Sequence, residues 1–384
     1  MVSAAEFYKF LLKRSINHFY GVPDTTLKGF CDYLASKTDT GIGHIVAANE
    51  GGAVALASGY HLATGKTALV YLQNSGTGNI VNPVASLTDC AVCGIPVVYL
   101  IGWRGKPGIK DEPQHIKQGG ITLPLLELLG METYVITKES SMADVANVFD
   151  NCFEANLRKG KSAAFVVESG SFEHDSPAVR RNSHTLVREQ AVSLLADAAG
   201  ETDIVVSTTG KISRELFDYR ECLRQSHDRD FLTVGAMGHV SMIALAVAEH
   251  HPNRRVWCLD GDGSLLMHMG ALAIIGSRAP ENLLHVLLNN GAHESAGGAP
   301  TVSYCVNWLE ISSGCGYKAT HSAKTLSELK DTLRIVKSQR GPIFIEALVN
   351  LESRSNLGRP AITAKQNKIS FIEFLNKKDG EKIE

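Results

Sequence analysis

Thr67-Ala68-Leu69-Val70-Tyr71-Leu72 is an uninterrupted apolar run of strand length. A strand with one face in water alternates apolar and polar residues, whereas an unbroken run is buried on both faces. Residues 96–101 (PVVYLI) and 163–167 (AAFVV) repeat the pattern. Around these runs lie helical stretches at 4–14, which is amphipathic, at 25–36, and at 50–63, which is rich in small residues. Shorter strands are expected at 17–20, ending in the turn 21–24, and at 43–48. Parallel strands need crossover connections, and helices are the usual ones. The pattern therefore predicts an α/β fold: a doubly wound parallel sheet with helices on both faces.

The polar stretch 169–184 (SGSFEHDSPAVRRNSH) interrupts this alternation. The alternation then restarts. Helices are expected at 186–199, 213–224, 240–250 and 323–339, and strands at 204–207, 256–259, 283–288 and 343–349. The expected organisation is two doubly wound domains, 1–170 and 185–357, joined by a linker at 171–184. There is no room for a third, central domain. The two halves share no obvious sequence, so any duplication is structural. A polar tail, 358–384, is expected to be partly ordered at best.

Lys and Arg number 38 and Asp and Glu 40, a net charge of −2, which excludes a general nucleic-acid binder. No apolar run reaches the ~18 residues of a membrane span. In the opening MVSAAEFYKFLLKRS the basic residues follow the apolar ones, the reverse of a secretion signal, so a cytoplasmic location is expected. Eight cysteines include one CxxC, Cys90 and Cys93, with no second pair to complete a metal site. They read as reduced thiols.

The chemistry concentrates at Leu259-Asp260-Gly261-Asp262-Gly263-Ser264 and at Asn289-Asn290. Each follows an expected strand, and ligands of open parallel sheets bind at strand C-termini. Asp-Gly and Asn-Asn alone are ordinary turn pairs. Together they offer Asp262 and Asn290 as hard oxygen donors suited to Mg²⁺ and a phosphate. Gly261 and Gly263 allow close backbone approach, and a helix starting near Ser264 presents free N–H groups.

GDGS followed at this distance by NN resembles the motif of thiamine-diphosphate-dependent enzymes. The resemblance implies thiamine diphosphate and Mg²⁺ as cofactors, with Asp262, Asn290 and the carbonyl of Ala292 on the metal. It further implies a pyrimidine-binding domain (1–170) and a diphosphate-binding domain (185–357). Glu50, after a strand and opening a helix, matches the glutamate of the pyrimidine-binding domain. That residue shares a proton with a ring nitrogen of the aminopyrimidine, and burial would raise its pKa for the task. Met237, in Gly235-Ala236-Met237-Gly238-His239, matches the apolar wedge that bends the cofactor. Gly238, His239, Thr208, Thr209, Gly210 and Asn74 are the remaining candidate cofactor contacts. The family's arrangement places Glu50 and Asp262 of one site on different subunits, which implies a homodimer at least.

The segment Gln73-Asn74-Ser75-Gly76-Thr77-Gly78-Asn79 is similar to compact two-domain decarboxylases of that family. The runs 101–115 and 289–295 are similar to those acting on phosphonopyruvate. The resemblance therefore implies decarboxylation of phosphonopyruvate in phosphonate biosynthesis. Sulfopyruvate, or another small anionic 2-oxo acid, is the alternative. A non-catalytic cofactor-binding homologue is a second. A multiply charged anion calls for basic donors, and Arg104, Lys106 and Lys110 share one Gly/Pro-rich loop with His115. Asp24, in the first turn, and His115 are the candidates for proton transfer.

Overall fold

A computed structural model describes residues 1–37, 41–173 and 181–377. Two compact units emerge: Met1–Val179 with His293–Pro300, and Arg180–Ala292 with Thr301–Glu384. Each holds one six-stranded sheet whose recorded pairings are all parallel.

The first sheet comprises β1 (His18–Gly21), β2 (Gly43–Val46), β3 (Ala68–Gln73), β4 (Val97–Trp103), β5 (Glu132–Ile136) and β6 (Ala163–Glu168), ordered β2-β1-β3-β4-β6-β5. The apolar runs behave as expected. Along β4, Val98 and Leu100 enter one core, and Val97, Tyr99 and Ile101 enter the core on the opposite face.

The second sheet comprises β7 (Ile204–Ser207), β8 (Asp230–Leu232), β9 (Val256–Gly261) and β10 (Leu283–Asn289). Past a short pair, β11 (Ala292–His293) and β12 (Ala299–Pro300), it continues with β13 (Ala319–Ala323) and β14 (Ile343–Leu348). Its order is β13-β14-β10-β9-β7-β8. Counted from its own first strand, this is the same topology as the first sheet. The two halves are thus duplicates in architecture. In each sheet the strand order reverses beside the first strand, between β1 and β3 and between β7 and β9, and ligands of such folds bind at that switch point. The described residues form no third domain, and no helix among them is long and apolar enough to cross a membrane.

Within the expected linker, Phe172 is buried in the first unit's core, and residues 174–180 lie outside the described residues. The expectation for the tail needs correction. Ala364–Asn376 forms a helix opened by a capping box, in which Thr363 and Gln366 satisfy each other's backbone N–H groups. Phe371 and Phe374 bury its apolar face. Asn367 closes the free edge of β8: its Oδ1 accepts the Leu232 N–H at 3.0 Å and its Nδ2 donates to the Asp230 carbonyl at 2.8 Å. Only residues 378–384 of the tail lie outside the described residues. Asn367→Ala should leave two buried strand groups unpaired, at a cost of about 1–3 kcal/mol. A urea titration reading an unchanged midpoint would refute this role.

Candidate active-site residues

In the first unit, Asn49 caps the helix Glu50–Thr64, its side chain accepting the Gly52 N–H at 2.8 Å. That cap makes Glu50 the first helical residue, with its side chain buried (4% exposed). Asn79 Nδ2 donates to Glu50 Oε2 at 2.7 Å. Burial raises the Glu50 pKa, and the hydrogen bond from Asn79 only partly opposes it. Gly76 makes the space: a Cβ there would stand 2.2 Å from Oε1 of Glu50. The result is a carboxyl group that holds its proton more tightly than an ordinary glutamate does.

Asp24 sits at the β1/β3 switch point. Its Oδ2 accepts the N–H groups of Thr26 at 2.6 Å and Leu27 at 3.3 Å, and Gln73 Nε2, from the end of β3, donates to its Oδ1. It is thus a turn-former and a tie between the end of β1 and the end of β3. Arg104 lies beside it, with Nη1 3.5 Å from Thr25 Oγ1. The same guanidinium forms a two-pronged pair with Asp111, at 2.8 and 2.5 Å, which holds the Asp111 carboxyl below its ordinary value. His115 shares this neighbourhood. Burial, then the charge of Arg104, lowers its pKa and favours the neutral imidazole. Its Nδ1 is buried and has no hydrogen-bond partner among the described residues. Lys106 pairs with Glu168 at 2.5 Å, and Lys110 is exposed. Asn74 is committed to the scaffold: it holds both backbone groups of Arg104, at 2.8 and 3.0 Å, and donates to Thr122 at 2.9 Å.

In the second unit, Asp262 opens a helix directly after β9 and is buried. Burial pushes its carboxyl up to about 6, against hydrogen bonds from Thr301 and from backbone N–H groups. Thr301 Oγ1 donates to its Oδ2 at 2.5 Å. None of the described groups acting on it is a basic side chain. A buried carboxylate without a cationic partner is costly, and a divalent cation would supply the missing charge. Asn290 stands at the end of β10, with Oδ1 accepting the Ala292 N–H at 3.1 Å. Around the β7/β9 switch point, Ser264 Oγ receives the hydroxyl of Thr208 and the N–H of Gly238, both at 3.1 Å. Thr209 Oγ1 accepts the Gly235 N–H at 3.0 Å, and Gly210 starts the helix Lys211–Cys222. Gly261 and Gly263 flank Asp262. Met237 is half-buried, and His239 is exposed, its ring 4.4 Å from that of His268.

The sequence-predicted residues thus form one group in each unit. Asp24, Arg104 and His115 share the first, and Glu50 lies in the same unit against Asn79 and Gly76. Asp262, Asn290, Thr208, Gly238 and Ser264 share the second. Sequence reasoning missed Asn79, Gln73 and Asp111 in the first and Thr301 in the second. Asn79 and Gln73 fall inside the quoted Gln73–Asn79 segment, where an amide five residues beyond Asn74 was a usable signal. Thr301 has no local signature.

Two family models match the chain: "Thiamine pyrophosphate enzyme, N-terminal TPP binding domain" over residues 1–122 and "Thiamine pyrophosphate enzyme, C-terminal TPP binding domain" over residues 208–347. The chain belongs to the thiamine pyrophosphate enzymes. It is 34% identical to phosphonopyruvate decarboxylase of Streptomyces viridochromogenes, over 98% of this chain and 95% of that one. Phosphonopyruvate decarboxylase of Streptomyces hygroscopicus is also 34% identical, over 97% and 94%. Sulfopyruvate decarboxylase of Methanosarcina acetivorans is 30% identical, over 77% and 79%. Within that family this protein is a decarboxylase, a carboxy-lyase.

Proposed function

We propose that this enzyme converts 3-phosphonopyruvate to phosphonoacetaldehyde and carbon dioxide with thiamine diphosphate and Mg²⁺, as a step of phosphonate biosynthesis. The observation that carries the chemistry is the Glu50 carboxyl, buried, raised in pKa and fixed by Asn79 beside the gap at Gly76. The near full-length likeness to phosphonopyruvate decarboxylases supports the substrate.

Thiamine diphosphate, when bound, supplies the electron sink that loss of a carboxylate requires. The residues of this chain do the rest. Glu50 holds and returns a proton at its Oε atoms. The carboxylate of Asp262, the amide oxygen of Asn290 and the carbonyl of Ala292 are hard donors that fit Mg²⁺ and would hold it. Thr208, Thr209, Gly210, Gly238, His239, Gly261, Gly263 and Ser264 line the place for the diphosphate, and Met237 supports the ring system. Arg104, Lys106 and Lys110 bind the substrate's anionic groups. Asp24 and His115 serve proton transfer. Asn74 acts by holding the backbone of Arg104. The active enzyme is a homodimer or larger, cytoplasmic, with Glu50 and Asp262 of each site coming from different copies.

A second reading replaces the phosphonate with a sulfonate. The Methanosarcina relative favours it, and so does Asp111, which already neutralises much of Arg104. A sulfonate carries one charge where a phosphonate carries nearly two, so it needs less positive countercharge.

The test is a parallel assay of phosphonopyruvate, sulfopyruvate and pyruvate with purified protein, thiamine diphosphate and Mg²⁺. Aldehyde release is expected fastest from phosphonopyruvate. Preference for sulfopyruvate would replace the substrate and keep the mechanism. No aldehyde from any of the three would sink the proposal.

A further inference from the structure

The turn between Asn289 and Ala292 carries two of the three proposed metal donors, and its peptide groups are held in an unusual way. The peptide joining Asn290 to Gly291 is gripped at both ends. Its N–H donates to Asn289 Oδ1 at 3.1 Å, and its carbonyl accepts from Asn182 Nδ2 at 3.1 Å. The next peptide is gripped likewise: the Gly291 carbonyl accepts the Thr301 N–H at 2.9 Å, and the Ala292 N–H donates to Asn290 Oδ1 at 3.1 Å. Asn289 is itself anchored, donating to Glu346 Oε1 of β14 at 2.8 Å. Tyr304 lies across the turn. A Cβ at Gly291 would stand 2.2 Å from its ring, and the backbone there has φ +69°.

The other groups named come from the turn itself, from β10 or β14, or from the loop that carries Thr301 and Tyr304. Asn182 does not. It comes from the stretch leading into the second unit, 108 residues from Asn290. Its orientation is determined, because Oδ1 accepts the His184 N–H at 3.2 Å and turns the NH₂ group toward the turn. The same NH₂ group reaches the Val349 carbonyl at 3.0 Å and the Tyr304 hydroxyl at 3.1 Å. Asn182 therefore joins the end of β14, the tyrosine and the metal-bearing turn through one amide.

We propose that Asn182 is a positioning residue for the divalent cation. By fixing the Asn290–Gly291 peptide plane it sets the direction of the Asn290 side chain and of the Ala292 carbonyl. Two oxygen donors on a free turn would sample several orientations. Mg²⁺ demands near-octahedral geometry and tolerates little of that freedom. Groups that orient ligands in this way are typically worth ~10–100-fold in metal affinity. The inference rests on the reading of Asp262, Asn290 and Ala292 as metal donors.

The test uses the full chain with thiamine diphosphate and Mn²⁺ as the probe, bound Mn²⁺ being measured by the loss of the free-ion electron paramagnetic resonance signal. Asn182→Asp keeps the acceptor for His184 and removes the donor; Asn182→Ala removes both. Each is expected to bind Mn²⁺ about 10- to 100-fold more weakly, measured under conditions where a urea titration shows the apoprotein still folded. Parental Mn²⁺ affinity in either folded variant overturns the proposal. Asp262→Ala is measured alongside. If that variant also binds Mn²⁺ as the parent does, the metal reading itself is wrong. If it loses Mn²⁺ while the Asn182 variants do not, only the role of Asn182 falls.

Discussion

Glu50→Gln should abolish decarboxylation, by on the order of 10³-fold, while leaving cofactor affinity close to that of the parent. Glutamine keeps the shape of the side chain and can still accept the Asn79 hydrogen bond, but it cannot take or give a proton. The substitution should also stabilise the apoprotein at neutral pH. Burial raises the Glu50 pKa in the folded state, so the folded chain binds that proton more tightly than the unfolded chain does. Stability contributed by this group is therefore present below the ordinary glutamate value and is lost as pH rises through the higher folded value. Glutamine removes the loss. Thermal melts should place the variant above the parent at neutral pH, and the two should converge in acid. Near-parental turnover would end the proposed role of Glu50. A variant less stable than the parent at neutral pH would show that burial does not govern this carboxyl.

Asp262→Ala should be equally inactive for a different reason, because metal and diphosphate binding are lost together. Mixing it with Glu50→Gln then separates two arrangements. If each site draws Glu50 and Asp262 from different copies, a mixed dimer has one site with both defects and one with neither. Random reassortment of equal amounts makes half of the dimers mixed, so activity should return to about one quarter of the parent. If both residues come from the same chain, the mixture stays inactive. The measurement is aldehyde formation after co-refolding or co-expression, with each variant alone as the blank.

Much of this was legible in the residues, and each miss has a physical cause. Runs such as 67–72 and 96–101 announced strands covered on both faces, and they form the centre of the first sheet. Asp262 and Asn290 could be found because each closes a strand. The strands Glu132–Ile136 and Ala319–Ala323 went unread. Both are sheet edges, and ETYVI and ATHSA carry the polar residues an edge tolerates. Asn79 and Thr301 went unread because their meaning is tertiary. Thr301 lies 39 residues from the carboxylate it binds. The C-terminal helix was the avoidable miss. Thr363-Ala364-Lys365-Gln366 ahead of an apolar run is a capping-box signal, and it was outweighed by the polarity of the residues before it.

The helix that covers β8 bears on how the chain is made. Synthesis runs from the N-terminus, so β8 emerges well over a hundred residues before Asn367 does. Until that helix docks, the edge of the second sheet has no cover, and an open edge is a template for pairing with a neighbouring chain. A product that stops short of Asn367 lacks this cover, and self-association is its expected liability.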